Sequence, residues 1–222
     1  MAQIFVSHSK KDKDLVDFFS NAFAGTKVKA IFEEFEKILT GQITPSKVAQ
    51  DIENSNALFV ILSQNVRDIP HTRDWVVWET GVAKNKDIWV FEPFLQFGKI
   101  SIVIPCLRHY GIFYINNSWL GYIRRIIESY DDSHTFATVL VTGVVGAGIG
   151  AALADKDKVG GAVLGGVGGM VVGGLISDKS RERPIGLSVT CDKCHSTYNI
   201  HISQGMKIFR CPVCDSYLEI KI

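Results

Sequence analysis

Charge of one sign is what this chain lacks. Its 222 residues carry 24 Lys and Arg against 23 Asp and Glu, a formal net charge of +1. The balance is also local: residues 1–134 hold 15 basic against 16 acidic side chains, and residues 185–222 hold 4 against 3. No region has the basic excess that neutralises a phosphate backbone, so nucleic acid is not expected as a main partner. No secretory leader is expected either, because Met1–Ser7 has no basic segment followed by a long apolar stretch and reads as a strand. Cysteines scattered at disulfide spacing are also missing. Four of the five lie in two Cys-x-x-Cys pairs, which is metal-ligand spacing and implies a reducing compartment. The fifth, Cys106, follows Pro105 in an apolar run and reads as a small buried hydrophobe. With 46% apolar and 21% charged residues, the chain is not of disordered composition.

What is present falls into three parts. Residues 1–132 alternate short apolar runs with helical patterns, which predicts βαβ units, a parallel sheet and a flavodoxin-like α/β domain. Strands are expected at Ile4–Val6, Val28–Phe32, Ala57–Leu62, Ile88–Phe91 and Ile100–Ile104, with another around Ile112–Ile115. The run Ala57–Leu62 has no polar alternation, as in a central strand buried on both faces. Helices are expected at Lys13–Ala24 with Gly25 as stop, after Thr44-Pro45 as N-cap and first position, at Arg73–Lys84, and after a cap near Asn117 or Ser118. Ligands of such sheets bind at the carboxyl ends of the strands.

Residues 136–176 hold two uncharged stretches, Phe136–Ala154 and Val159–Ile176, long enough for the lower range of membrane spans. Small residues recur every fourth position: Thr142, Gly146, Gly150 and Ala154, then Gly161, Gly165, Gly169 and Gly173. Such ridges let helix backbones approach closely, and in water so many glycines would weaken both helices. A membrane hairpin is expected, with a water-soluble glycine zipper or a mobile linker as the alternatives. Lys179, Arg181 and Arg183 favour the cytoplasmic side for both large parts. In residues 185–222, Cys191, Cys194, Cys211 and Cys214 have the spacing of one tetrahedral site in a small all-β zinc ribbon. Four thiolates leave no open position, so the zinc would be structural and would supply most of this segment's stability. A disulfide pair or a rubredoxin-like iron are the alternatives.

Three segments of the first part carry more than a pattern. They are Ile4-Phe5-Val6-Ser7-His8-Ser9-Lys10-Lys11-Asp12, the loop Phe32–Gly41 after the second strand, and Asp74-Trp75-Val76-Val77-Trp78-Glu79. In this order and separation they resemble a TIR (Toll/interleukin receptor) domain of the prokaryotic, NAD-cleaving type. The opening strand has the family's aromatic-x-Ser-x-Ser form, Ala57–Ser63 matches its third strand, and Trp75 to Glu79 matches its Trp-x-x-x-Glu helix. Val76 replaces a common cysteine, Glu34 replaces an aspartate, and the loop lacks a Pro-Gly pair. The resemblance implies NAD as substrate, with Glu79 as the catalytic carboxylate and activity dependent on self-association. It also implies nucleotide contacts from Ser7, His8, Ser9 and Lys37. Trp75 would wall the pocket, and Lys10 would meet a phosphate. A non-catalytic signalling module is the alternative. Self-association is expected through this domain and through the glycine hairpin.

Overall fold

A computed structural model describes residues 1–33, 41–96, 104, 107–131 and 184–220. The glycine hairpin at 136–176, the expected strand at 100–104 apart from Ile104, and Glu34, Lys37 and Cys106 lie outside the described residues. No described helix is long and apolar enough to cross a membrane.

The strands are β1 (Gln3–Ser7), β2 (Lys29–Glu33), β3 (Ala57–Ile61), β4 (Asp87–Pro93), β5 (His109–Phe113), β6 (Pro184–Thr190), β7 (Thr197–Ser203), β8 (Ile208–Arg210) and β9 (Tyr217–Glu219). The helices, in chain order, are α1 (Lys13–Phe23), α2 (Pro45–Glu53), α3 (Gln64–Asp68), α4 (Pro70–Val82) and α5 (Asn117–Glu128). Local chemistry sets their ends. Gly25, at φ +81°, takes the left-handed turn that stops α1. The Thr44 side chain accepts from the Lys47 amide and Pro45 opens α2, while Asn116 caps α5 through the Trp119 amide.

Seven strands form one sheet in the order β2-β1-β3-β4-β5-β7-β6. The first five are parallel and have flavodoxin-like order. The sheet then continues into the segment expected to stand as a small all-β unit. Strand β7 pairs in parallel with β5, β6 closes the edge antiparallel to β7, and only β8–β9 forms a separate ribbon. Packing explains the extension, because Tyr198, Ile200 and Ile202 of β7 prolong the apolar surface begun by Tyr110 and Ile112 of β5.

Each face of the sheet has its own core. One face packs against α1 and α5 and is aromatic, with Phe19, Phe59, Trp89, Phe91, Phe113 and Trp119 all nearly or fully buried. The other is mainly aliphatic and packs against α2, α3 and α4, then against the cysteine turns, where Cys191 and Cys211 join the same cluster as Leu58, Val90 and Ile112. The strand period of two therefore sends Phe5 and Ser7 to the second face and Ile4 and Val6 to the first.

Candidate active site and metal centre

Ser7 is the last residue of β1, at the carboxyl end where a parallel sheet presents its binding loops. On the same face, α4 brings Trp75 and Glu79 one turn apart. The Trp75 indole N–H donates to Glu79 Oε1 at 2.8 Å, and the Ser7 hydroxyl donates to Glu79 Oε2. Residues 72 positions apart in sequence thus meet on one carboxyl group, which is 1% exposed. Burial pushes the Glu79 pKa up to about 7, while the hydrogen bonds from Ser7 and Trp75 favour the charged form and oppose that rise. Near neutral pH the group stands between acid and carboxylate, where a small change in surroundings decides its charge.

Trp75 is also stacked on Trp78, with ring centroids 4.4 Å apart, and Trp78 is partly open to solvent. The other residues expected at the site are placed differently. His8 is buried edge-on to Phe32, with Nδ1 3.3 Å from the Val6 carbonyl. Ser9 is buried too, and its Oγ accepts from the Lys11 amide at 3.4 Å. Lys10 is exposed, and Lys37 lies outside the described residues.

Two further polar clusters involve buried side chains. Asp12 accepts from the Ser63 hydroxyl and, at 2.6 Å, from Asn65 Nδ2, tying the loop after β1 to the loop after β3. Arg67 of α3 forms a buried ion pair with Glu92 of β4, which also accepts from the Tyr110 hydroxyl of β5. Burial lowers the Arg67 pKa and pushes that of Tyr110 above its ordinary range. Only the alternation of β4, with Glu92 in phase with Ile88 and Val90, hinted that this glutamate turns inward.

The four paired cysteines do come together. All their sulfurs lie within 4.8 Å of one another, with Cys191 Sγ 3.6 Å from Cys214 Sγ and Cys194 Sγ 3.8 Å from Cys211 Sγ. Zinc–sulfur bonds of about 2.3 Å place the sulfurs of a tetrahedron about 3.8 Å apart, so the arrangement fits a metal ion such as zinc. The site is built from two copies of one turn. In the first, the His195 amide donates to the Cys191 carbonyl at 2.8 Å and the Cys191 amide to Ser196 O at 3.0 Å. In the second, the Asp215 amide donates to the Cys211 carbonyl at 2.9 Å and the Cys211 amide to Ser216 O at 2.8 Å. His195 and Asp215 occupy the same left-handed position, at φ +58° and +62°. Burial opposes ionisation of Cys191, but hydrogen bonds from Ser216 and from the Cys194 and Lys193 backbone bring its thiol down to about 6.

On the aromatic face, His109 Nδ1 lies 3.2 Å from His201 Nε2, and the Tyr122 hydroxyl lies 2.6 Å from His201 Nδ1. His109 is stacked on Trp89 at 3.8 Å. Desolvation holds both imidazoles neutral, with His109 lowered to about 4 and His201 well below its ordinary value.

No protein-family model, curated protein or solved structure matches the chain.

Proposed function

We propose that the chain is an NAD glycohydrolase that cleaves the bond between nicotinamide and ribose, with Glu79 as the catalytic carboxylate. The reading rests on the TIR-like motifs and on one observation above the rest, the meeting of Ser7, Trp75 and Glu79 at the carboxyl end of the sheet. The chemistry suits that set. Nicotinamide leaves a cationic pyridinium as a neutral molecule, so no general acid is required. Positive charge develops on the ribose instead, and a fixed carboxylate stabilises it and holds the hydroxyls. Water, or a nucleophile within the product, then captures the ribosyl cation. Trp75 orients the carboxylate and excludes water, while Lys10 would meet a phosphate and Lys37 would contact the nucleotide.

Zinc in the cysteine site is proposed as structural, since four thiolates leave no coordination position for a substrate. The hairpin at 136–176 is proposed to hold the protein at a membrane, with both large parts on the cytoplasmic side and activity dependent on self-association. One observation favours a non-catalytic interaction module: at 1% exposure, with both oxygens engaged, Glu79 is placed as a buried structural acid would be. Incubation of the purified full chain with NAD, with free nicotinamide as readout, separates the two. Release that disappears in Glu79→Gln supports the enzyme, and no release from folded, metal-bound protein supports the module.

A further inference from the structure

The two edges of the sheet differ in kind. The β2 edge is five residues long, begins at Lys29 with Lys27 just before it, and ends at Glu33. Charges at an edge discourage another chain from adding a strand. The β6 edge has seven residues, Pro184-Ile185-Gly186-Leu187-Ser188-Val189-Thr190, and none is charged. Its pairing with β7 runs through seven consecutive positions with no bulge to twist the edge away. Among the described residues β6 is the outermost strand, and all seven of its residues are partly or fully exposed. Within β6 itself, Pro184 at the first position is the one blocking residue, with Arg183 just before it in the sequence.

The alternation of aliphatic and small side chains in residues 185–189 of β6 is symmetric about Leu187. Ile185, Leu187 and Val189 lie on one face, packed against the aliphatic core as its partly buried rim. Gly186 and Ser188 alternate with them on the other face. Gly186 lies close over His201, since a Cβ there would stand 3.2 Å from His201 Nδ1 and the imidazole would have to give way slightly. An antiparallel copy centred on Leu187 would set Leu187 against Leu187, Ile185 against Val189 and Gly186 against Ser188. The rim of one aliphatic core would then continue into the rim of the other. Cross-strand aliphatic pairs of this kind stabilise a sheet, and an isologous contact needs a patch complementary to itself.

We infer that β6 is a homodimerisation edge, paired antiparallel with β6 of a second copy about a twofold axis at Leu187, so that two seven-stranded sheets join into one. This edge lies outside residues 1–132 and the glycine hairpin, the segments expected to mediate assembly. It stands whether or not the chain cleaves NAD, because none of its residues touches Glu79.

The test uses the full chain. Leu187→Cys places a thiol on the twofold axis opposite its own copy, at the separation of directly paired strand residues, which a disulfide spans. Mild oxidation should yield a covalent dimer joined at residue 187. Ile185→Cys, two residues off the axis, should yield none. Amide exchange of residues 185–190 should slow as protein concentration rises in the wild type. Ser188→Lys, at an exposed position, should bring two lysines together across the junction and raise the dimer dissociation constant by roughly tenfold or more. Absence of the residue-187 cross-link, or exchange protection at β6 that is independent of concentration, overturns the inference. The second result would mean that another segment of the same chain covers the edge.

Discussion

The two faces of the sheet are closed by different means. The aromatic face is covered by two helices whose spacing is plain in the sequence: α1 buries Leu15, Phe18, Phe19, Ala22 and Phe23, and α5 buries Trp119, Tyr122, Ile123, Ile126 and Ile127. Its stability comes from apolar area, at roughly 25 cal/mol per Å² removed from water. The aliphatic face is covered by three helices of 9, 5 and 13 residues, then by the two cysteine turns. It also carries the buried polar groups Ser7, Glu79, Arg67 and Glu92. The proposed site thus lies on the face that carries these buried polar groups, and a metal held by the four cysteines would brace its far end. A binding site needs polar groups in the core, and their cost must be balanced by something other than more hydrophobic area.

The largest effect that can break this comparison is loss of the metal. Structural zinc sites contribute on the order of 10 kcal/mol to folding. Because Cys191 and Cys211 belong to the same core cluster as β3, β4 and β5, a Cys191→Ser, Cys194→Ser variant, or chelation, should lower the melting temperature of the whole sheet. Near-ultraviolet signals from Trp75 and Trp78 would report the aliphatic face. An unchanged melt of that face in metal-free protein would show that the module is only an attachment.

A smaller effect comes from the Arg67–Glu92 pair. Removing one partner of a buried ion pair leaves an unpaired charge and typically costs about 3–5 kcal/mol. Arg67→Met should therefore destabilise strongly, while Arg67→Met with Glu92→Gln should recover much of the loss in denaturant unfolding. Equal destabilisation by the single and double variants would mean that packing, not charge, holds α3 to the sheet.

The smallest effect separates the faces by pH. Glu79 has a folded-state pKa raised to about 7, so its contribution is present below the unfolded value near 4.5 and lost as pH rises to about 7. His109 and His201 are lowered instead. Their contribution is present above the unfolded value of 6.5 and lost as pH falls towards about 4, the value for His109. The aromatic face should weaken in acid and the aliphatic face towards neutral pH. Thermal melts of Glu79→Gln across pH 4–8 should lose the decline between about 4.5 and 7 while keeping the acid-side decline, and a parallel curve for both proteins would contradict this assignment.

The sheet and its helices were legible where one physical signal dominated. Ala57–Leu62 had to be central because no position on it was polar, and Thr44-Pro45 set the start of α2 through one hydroxyl and one fixed φ. Helix α3 was not legible, since Gln64–Asp68 is too short for a hydrophobic period to appear. Strand β5 runs over His109–Phe113, earlier than the Ile112–Ile115 expected, because His109 reads as polar until Trp89 is stacked on it. The cap of α5 is Asn116, one residue before the pair expected. The union of β5 with β7 was hidden for a deeper reason: alternation tells which side of a strand is buried, but not which strand lies beside it. At the site, Trp75 and Glu79 were visible as a pair at helical spacing. That Ser7 donates to Glu79, and that His8 and Ser9 are buried, depends on tertiary packing that no local pattern records.

The most direct measurement is the pH dependence of nicotinamide release from NAD by the full, metal-bound chain, run beside Glu79→Gln under the same conditions. The charge of Glu79 is what would face the developing ribosyl cation, so release should rise through about pH 7 as the buried carboxyl ionises. Glu79→Gln should drop release by at least about a hundredfold above pH 7, the gap narrowing as pH falls and the wild-type carboxyl protonates, with fold and assembly state unchanged. Undiminished release from a well-folded Glu79→Gln protein, or no release from the wild type at any pH, would contradict the account.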